Sequence, residues 1–135
     1  MAAHPIMIID DSPVVCNLIK VHLLNFDCDY VNADRPVFAL TLLRAVPIDL
    51  IITDFHMEAM DGIEFIKIVR SSERPHIRSV PTVLMTDDHN SDIQERAFRA
   101  GANGFLPKPI NGLRLRQIVA ELLGITDESS ASTTR

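Results

Sequence analysis

Cysteine is scarce in this chain of 135 residues: Cys16 and Cys28 stand alone, too few for a disulfide framework. No apolar run approaches the ~18 residues that a membrane span requires. The start, Met1-Ala2-Ala3-His4-Pro5, has neither a basic n-region nor room for the apolar core of a signal peptide. Positive charge is also in deficit. With 13 Lys and Arg against 18 Asp and Glu, the formal net charge is -5. Such a surface repels phosphates and so disfavours non-specific nucleic-acid or anionic-membrane binding. No G-x-G-x-x-G run occurs, which removes the usual support for a flavin or nucleotide cradle. His4, His22, His76 and His89 are scattered without metal-ligand spacing and read as surface or packing residues. What is present is ordinary globular material, 47% hydrophobic and 23% charged, enough for a core without staples. The expectation is one cytoplasmic domain over residues 4–124, followed by a Ser/Thr-rich, disordered tail over 125–135.

Short apolar runs alternate with longer amphipathic stretches. The runs cover residues 6–9, 28–32, 50–52, 80–85 and 104–106. Three of them are apolar at nearly every position, the pattern of strands covered on both faces. The run at 28–32 is weaker and reads as an edge strand. Between the runs lie helical patterns. Ser12-Pro13 opens a helix to about residue 25, and Asp34-Arg35-Pro36 opens a second with Ala39, Leu42, Leu43 and Val46 on one face. A third follows Asp61-Gly62, a fourth runs from Asn90-Ser91 to Gly101, and a fifth carries Leu115, Ile118, Val119 and Leu122 to Gly124. Arg70, Arg74, His76 and Arg78 read as a mildly basic, solvated connection. Cys16 and Cys28 read as small hydrophobes, and Met7, Met57, Met60 and Met85 as packing residues.

This alternation predicts an α/β fold with right-handed crossovers: a doubly wound, five-stranded parallel sheet of order 2-1-3-4-5, the flavodoxin-like (βα)5 arrangement. Ligands in such folds bind beyond the carboxyl ends of the strands, at the switch point between the first and third. The first strand ends in Asp10-Asp11 and the third in Thr53-Asp54. At ~7 Å and an effective dielectric of 20, each pair of carboxylates repels by roughly 2 kcal/mol, a cost that a bound cation removes. Oxygen-only ligands without a Cys or His cluster favour Mg²⁺ over zinc. Any one of these acids, taken singly, could simply cap a helix. Thr86, at the end of the fourth run, brings a hydroxyl to the same edge, and Lys108, after the fifth, an ammonium. Carboxylates, a cation site, a hydroxyl and a lysine on one crevice are the parts that phosphoryl transfer needs.

The runs Ile8-Ile9-Asp10-Asp11-Ser12, Leu50 to Met57 with Met60-Asp61-Gly62, Val83-Leu84-Met85-Thr86, and Gly101 to Phe105 with Lys108-Pro109 together resemble response-regulator receiver domains of two-component signalling. The resemblance implies that Asp54 is the phosphoacceptor, taking a phosphoryl group from a phosphohistidine to form an acyl phosphate. It implies Mg²⁺ held by Asp11, Asp54 and the backbone carbonyl of His56, with Asp10 assisting through water. Lys108 would meet a phosphoryl oxygen, next to a cis bond to Pro109. Thr86 and Phe105 would act as the switch, reshaping the face of the fourth helix, fifth strand and fifth helix. Implied partners are a sensor histidine kinase or histidine phosphotransfer protein and a downstream protein target, with no nucleic acid or membrane. The protein would be a monomer or a phosphorylation-dependent dimer, and a signalling switch rather than an enzyme acting on external substrates.

Two positions depart from the family pattern. Glu58 stands where proline is common. Asp87 stands where a small residue is usual, either narrowing access to the phosphoacceptor or pointing to solvent and capping the next helix. His56 and Asp88 occupy positions that in relatives tune how water reaches the acyl phosphate. Two other readings compete: a degenerate receiver used only for docking, and a metal-dependent aspartyl phosphohydrolase. The second wants an acid two residues after its nucleophile, where this chain has His56.

Overall fold

In a computed structural model, residues 3–127 are described. Five strands run β1 (His4–Ile9), β2 (Cys28–Ala33), β3 (Leu50–Asp54), β4 (Thr82–Thr86) and β5 (Gly104–Pro107). They form one parallel sheet of order β2-β1-β3-β4-β5, with the weakest apolar run at an edge, as expected. Six helices accompany them among the described residues: α1 (Pro13–His22), α2 (Pro36–Ala45), α3 (Gly62–Arg70), α4 (Pro75–Arg78), α5 (Ser91–Ala100) and α6 (Gly112–Leu123). The fourth and fifth helices expected from the sequence are α5 and α6.

The continuous apolar runs follow from burial on both sides. Ile6, Met7, Ile8 and Ile9 are all fully buried. Ile6 and Ile8 join Ile52, Met85 and the inner stripes of α1 and α6, while Met7 and Ile9 join Ile51, Ala39, Leu43 and Phe65 under α2 and α3. A third cluster, with Ile66, Leu84, Ile93 and Ala97, seats α5. At about 25 cal/mol per Å² of apolar area removed from water, this two-sided burial is the main force holding the sheet.

Helix starts follow their caps. Ser12, Asp61, Asn90 and Asn111 each accept a backbone N–H from the first turn of α1, α3, α5 and α6. Asp61 and Glu64 form a reciprocal capping box. Gly101 (φ 114°) and Gly124 (φ 68°) end α5 and α6 in the left-handed region. Two expectations shift. α1 ends at His22, and the chain turns before reaching residue 25. α2 starts on Pro36 with no side-chain cap, because the cap position falls on Arg35, which has no acceptor, and Asp34 stands one residue earlier, paired with the Arg35 guanidinium.

The connection read as basic and solvated is instead structured. It contains the single turn of α4, which buries Ile77. Arg70 donates from Nε and Nη2 to the Gly101 carbonyl at 3.0 and 2.9 Å, from Nη2 to Asn103 Oδ1 at 2.8 Å, and from Nη1 to the Arg78 carbonyl at 3.0 Å. The end of α3 is thereby tied to the entry of β5. Of the tail expected at 125–135, Ile125 packs on the core and Asp127 is buried 3.4 Å from Arg116; residues 128–135 lie outside the described residues.

Candidate functional site

The ends of β1 and β3 bring Asp10, Asp11 and Asp54 together, each offering a carboxylate oxygen within 4.8 Å of the others. At that separation and a dielectric of about 20, each pair of full charges repels by about 3–4 kcal/mol. Lys108, just beyond β5, sits between two of them. Its Nζ donates to Asp10 Oδ2 at 3.0 Å and to Asp54 Oδ1 at 3.1 Å. Asp10 is the most enclosed acid, with its side chain 1% exposed and its Oδ1 accepting the Ser12 N–H at 2.9 Å. Asp11 faces solvent at the mouth.

The charge balance is incomplete. Burial pushes the Asp54 carboxyl above its ordinary value; attraction to Lys108 pulls it back, and repulsion from Asp10 adds to the rise. For Lys108 burial works against the ammonium, yet hydrogen bonds and attraction from Asp10 and Asp54 outweigh it and hold the group above its ordinary value. One ammonium therefore stands among three carboxylates and bonds two of them. The donors offered to a further cation are hard oxygens only, and this set fits Mg²⁺.

Thr86 is fully buried at the end of β4. Its Oγ1 accepts the Asp88 N–H at 3.0 Å, and its carbonyl accepts the Lys108 N–H at 2.7 Å. The hydroxyl and the lysine are thus coupled through the backbone, and the Lys108–Pro109 bond is cis. Phe105 is half-buried, packed against the cluster under α5. The sequence places the expected residues on one sheet edge, and the structure brings Asp10, Asp11, Asp54, Lys108 and Thr86 into one site there.

The loops after β3 and β4 flank the mouth. His56 is exposed, with Nε2 4.0 Å from both Asp87 Oδ1 and Asp88 Oδ2. Asp87 is 75% exposed and does not cap α5; Asn90 does, while Asp88 Oδ1 accepts the Asn90 N–H. Of the two readings of Asp87, narrowed access and a solvent-facing cap, the second keeps its exposure and loses its cap. Glu58 is exposed, and Ala59 beside it has φ 74°, in the left-handed region that non-glycine residues avoid.

Two features escaped the sequence reading. Gly62 abuts the site: a Cβ there would lie 2.6 Å from the Asp54 carbonyl oxygen and 2.5 Å from Leu84 Cδ1. The available signal was a glycine at the first position of a helix, where almost any other residue forms helix better. The second is the outer stripe of α1, where Val14, Leu18 and Val21 are exposed at 75%, 38% and 57%. Their spacing was legible, but the sequence does not say which apolar stripe of a short helix faces out.

The model for the response regulator receiver domain matches residues 6–120. Chemotaxis protein CheY of Pseudomonas aeruginosa is 31% identical over 120 residues, covering 87% of this chain and 94% of that protein. Other relatives are longer, and the chain spans 25% of one and 18% of another. Two solved structures share the fold. The chemotaxis response regulator CheY4 of Vibrio cholerae superposes with a TM-score of 0.79 at 24% identity, over 90% of this chain and all of that one. The receiver domain of a sensor histidine kinase from Pseudomonas aeruginosa, with a magnesium ion coordinated in its active-site cleft, gives a TM-score of 0.79 at 24% identity, over 91% and 99%. Motif order, sheet order and an acid cluster answered by one lysine converge on one conclusion: the chain belongs to the response regulator receiver domain family of two-component signalling.

Proposed function

We propose that this protein is a phosphoacceptor switch in a His-to-Asp relay, with Asp54 as the acceptor. The observation that carries this is the Lys108 ammonium held on Asp54 Oδ1 and Asp10 Oδ2, with three carboxylate oxygens within 4.8 Å. Asp10, Asp11 and Asp54 would hold Mg²⁺, with the His56 backbone carbonyl as a further donor. When bound, the ion supplies positive charge against the acids and the phosphoryl oxygens.

With Oδ1 committed to Lys108, Asp54 Oδ2 is the oxygen that attacks phosphorus. The new O–P bond forms as the P–N bond to the donor imidazole breaks, and the ring nitrogen keeps the electron pair and takes a proton. Lys108 then moves its ammonium from carboxylate to a phosphoryl oxygen without leaving the site. Thr86 gives up the Asp88 N–H and donates its hydroxyl to another oxygen. Phe105, only half-buried, turns into the space vacated, and the α5–β5–α6 face changes for a downstream protein. The exposed stripe of α1 begins two residues beyond Ser12, beside the mouth, and suits the helices of a histidine kinase or phosphotransfer protein.

Intact mass after incubation with acetyl phosphate and Mg²⁺ tests the reading. One added phosphoryl group is expected, lost in Asp54→Asn and in EDTA; a gain that persists in Asp54→Asn refutes it. The exposed carboxylate of Asp87 beside the mouth slows anionic small donors, so Asp87→Ala is expected to be phosphorylated faster by acetyl phosphate. Equal initial rates would remove Asp87 from the account.

A further inference from the structure

At the end of the molecule opposite the acid cluster, a cavity of about 450 Å³ opens between the carboxyl ends of α2 and α3 and the turn of α4. Its size is that of a small-molecule site. The floor is apolar, made by Leu40, Leu43, Val69 and Ile77, the last three buried. Arg44 and Arg74 stand on its rim, both exposed. Arg74 Nη1 donates to the Arg44 carbonyl at 3.2 Å, which holds the two residues together across the opening.

The charge of this rim runs against that of the chain. The whole sequence carries -5, yet two guanidinium groups here face one carboxylate, Glu73. Neither arginine is ion-paired among the described residues. The carboxyl ends of helices normally repel anions. Here the carbonyls of Arg44, Ser72 and Arg78 each accept a guanidinium N–H, from Arg74, Arg78 and Arg70, so that repulsion is offset locally. An apolar floor under paired cations selects a ligand with an apolar body and a single negative head.

We propose that this cavity binds an amphipathic monoanion, a carboxylic acid whose hydrocarbon part lies on Leu40, Leu43, Val69 and Ile77 and whose carboxylate meets Arg44 and Arg74. The site is separate from the acid cluster and does not depend on the phosphoacceptor reading.

Decanoate, kept below its micellar range, is the probe, titrated into the full chain labelled for methyl and amide NMR. Saturable shifts are expected at the Leu40, Leu43, Val69 and Ile77 methyls. The dissociation constant should rise at least about ten-fold for decanol, which has the same chain without the charge, and by a similar factor in Arg44→Gln. Arg44→Gln removes a guanidinium that bonds nothing in the fold, so its spectrum elsewhere should be unchanged; Arg74→Gln provides a second test of the rim. Asp54→Asn should bind decanoate as the wild type does. The proposal is overturned if decanol binds as tightly as decanoate. It is equally overturned if the shifts fall on Val14, Leu18 and Val21 of α1, or if no saturation appears by about 1 mM.

Discussion

Gly62→Ala tests how tightly the start of α3 is set against the acid cluster. The added Cβ would lie 2.6 Å from the Asp54 carbonyl oxygen, 2.5 Å from Leu84 Cδ1 and 3.1 Å from Phe55 Cα. Leu84 can turn its side chain; the two backbone atoms cannot yield without moving the strand end. Restoring ordinary contact, which begins at 3.4 Å, requires a displacement of roughly 0.8 Å at Asp54. Overpacking of this kind costs about 1–3 kcal/mol. Alanine's better helix propensity returns about 0.5–1 kcal/mol, leaving a net loss of up to about 2.5 kcal/mol. The Gly62 N–H donated to the Phe55 carbonyl at 2.7 Å transmits the same shift to the loop bearing His56. Reactions that depend on positioning fall by as much as about 100-fold for a 1 Å misplacement, so phosphorylation by acetyl phosphate should slow by roughly 10- to 100-fold. Urea unfolding followed by circular dichroism, beside initial rates from intact mass, reads both quantities. A variant with the wild-type midpoint and the wild-type rate would refute the reasoning.

Arg70→Ala should lower stability by about 3 kcal/mol, because the Gly101 carbonyl and Asn103 Oδ1 lose charged donors worth about 1.5–3 kcal/mol each. Arg70→Lys should recover less than half, since one ammonium cannot reproduce the fork; a loss no larger than that of Arg99→Ala would count against this. Burial holds Asp54 above its ordinary pKa, and a folded-state pKa above the unfolded one stabilises below the unfolded value and is lost as pH rises through the folded value. In EDTA, Asp54→Asn should therefore have the higher urea midpoint at about pH 7, with the gap closing toward about pH 4. A gap independent of pH would contradict the assigned cause. Ala59→Gly should gain about 0.5–1 kcal/mol, as relief of the left-handed strain exceeds glycine's added unfolded-state entropy. A lower midpoint would show that the alanine methyl makes a contact that matters.

The fold was legible because the strands carry their own evidence. Residues 6–9 are apolar without alternation, and both faces of β1 are in fact covered. Helix starts were readable wherever a side chain caps, at Ser12, Asp61 and Asn90, and less so at Arg35, where proline alone sets the start. Asp10, Asp11, Asp54, Thr86 and Lys108 were legible because each ends or follows a strand, and parallel topology delivers all strand ends to one edge. Arg70 was not. Its partners lie 8 to 33 residues away, and a guanidinium in a basic stretch carries no mark of the carbonyls that it will meet. Gly62 was legible as a helix start but not as a contact, since close approach between segments has no local signature.

The caps at Ser12, Asp61, Asn90 and Asn111 have a consequence for the field around the acid cluster. In a parallel sheet joined by right-handed crossovers, every helix that follows a strand begins where that strand ends. The amino ends of α1, α3, α5 and α6 therefore surround one edge of the sheet, each carrying about half a positive charge from its aligned peptide dipoles. The caps satisfy single N–H groups without removing that potential. Affinity for a doubly negative group at this edge is thus partly a property of the wiring of the chain. Side-chain replacements at Lys108 or Thr86 leave that contribution in place, so with Mg²⁺ present against the three carboxylates, phosphate analogues should retain weak, salt-sensitive binding even when both are gone.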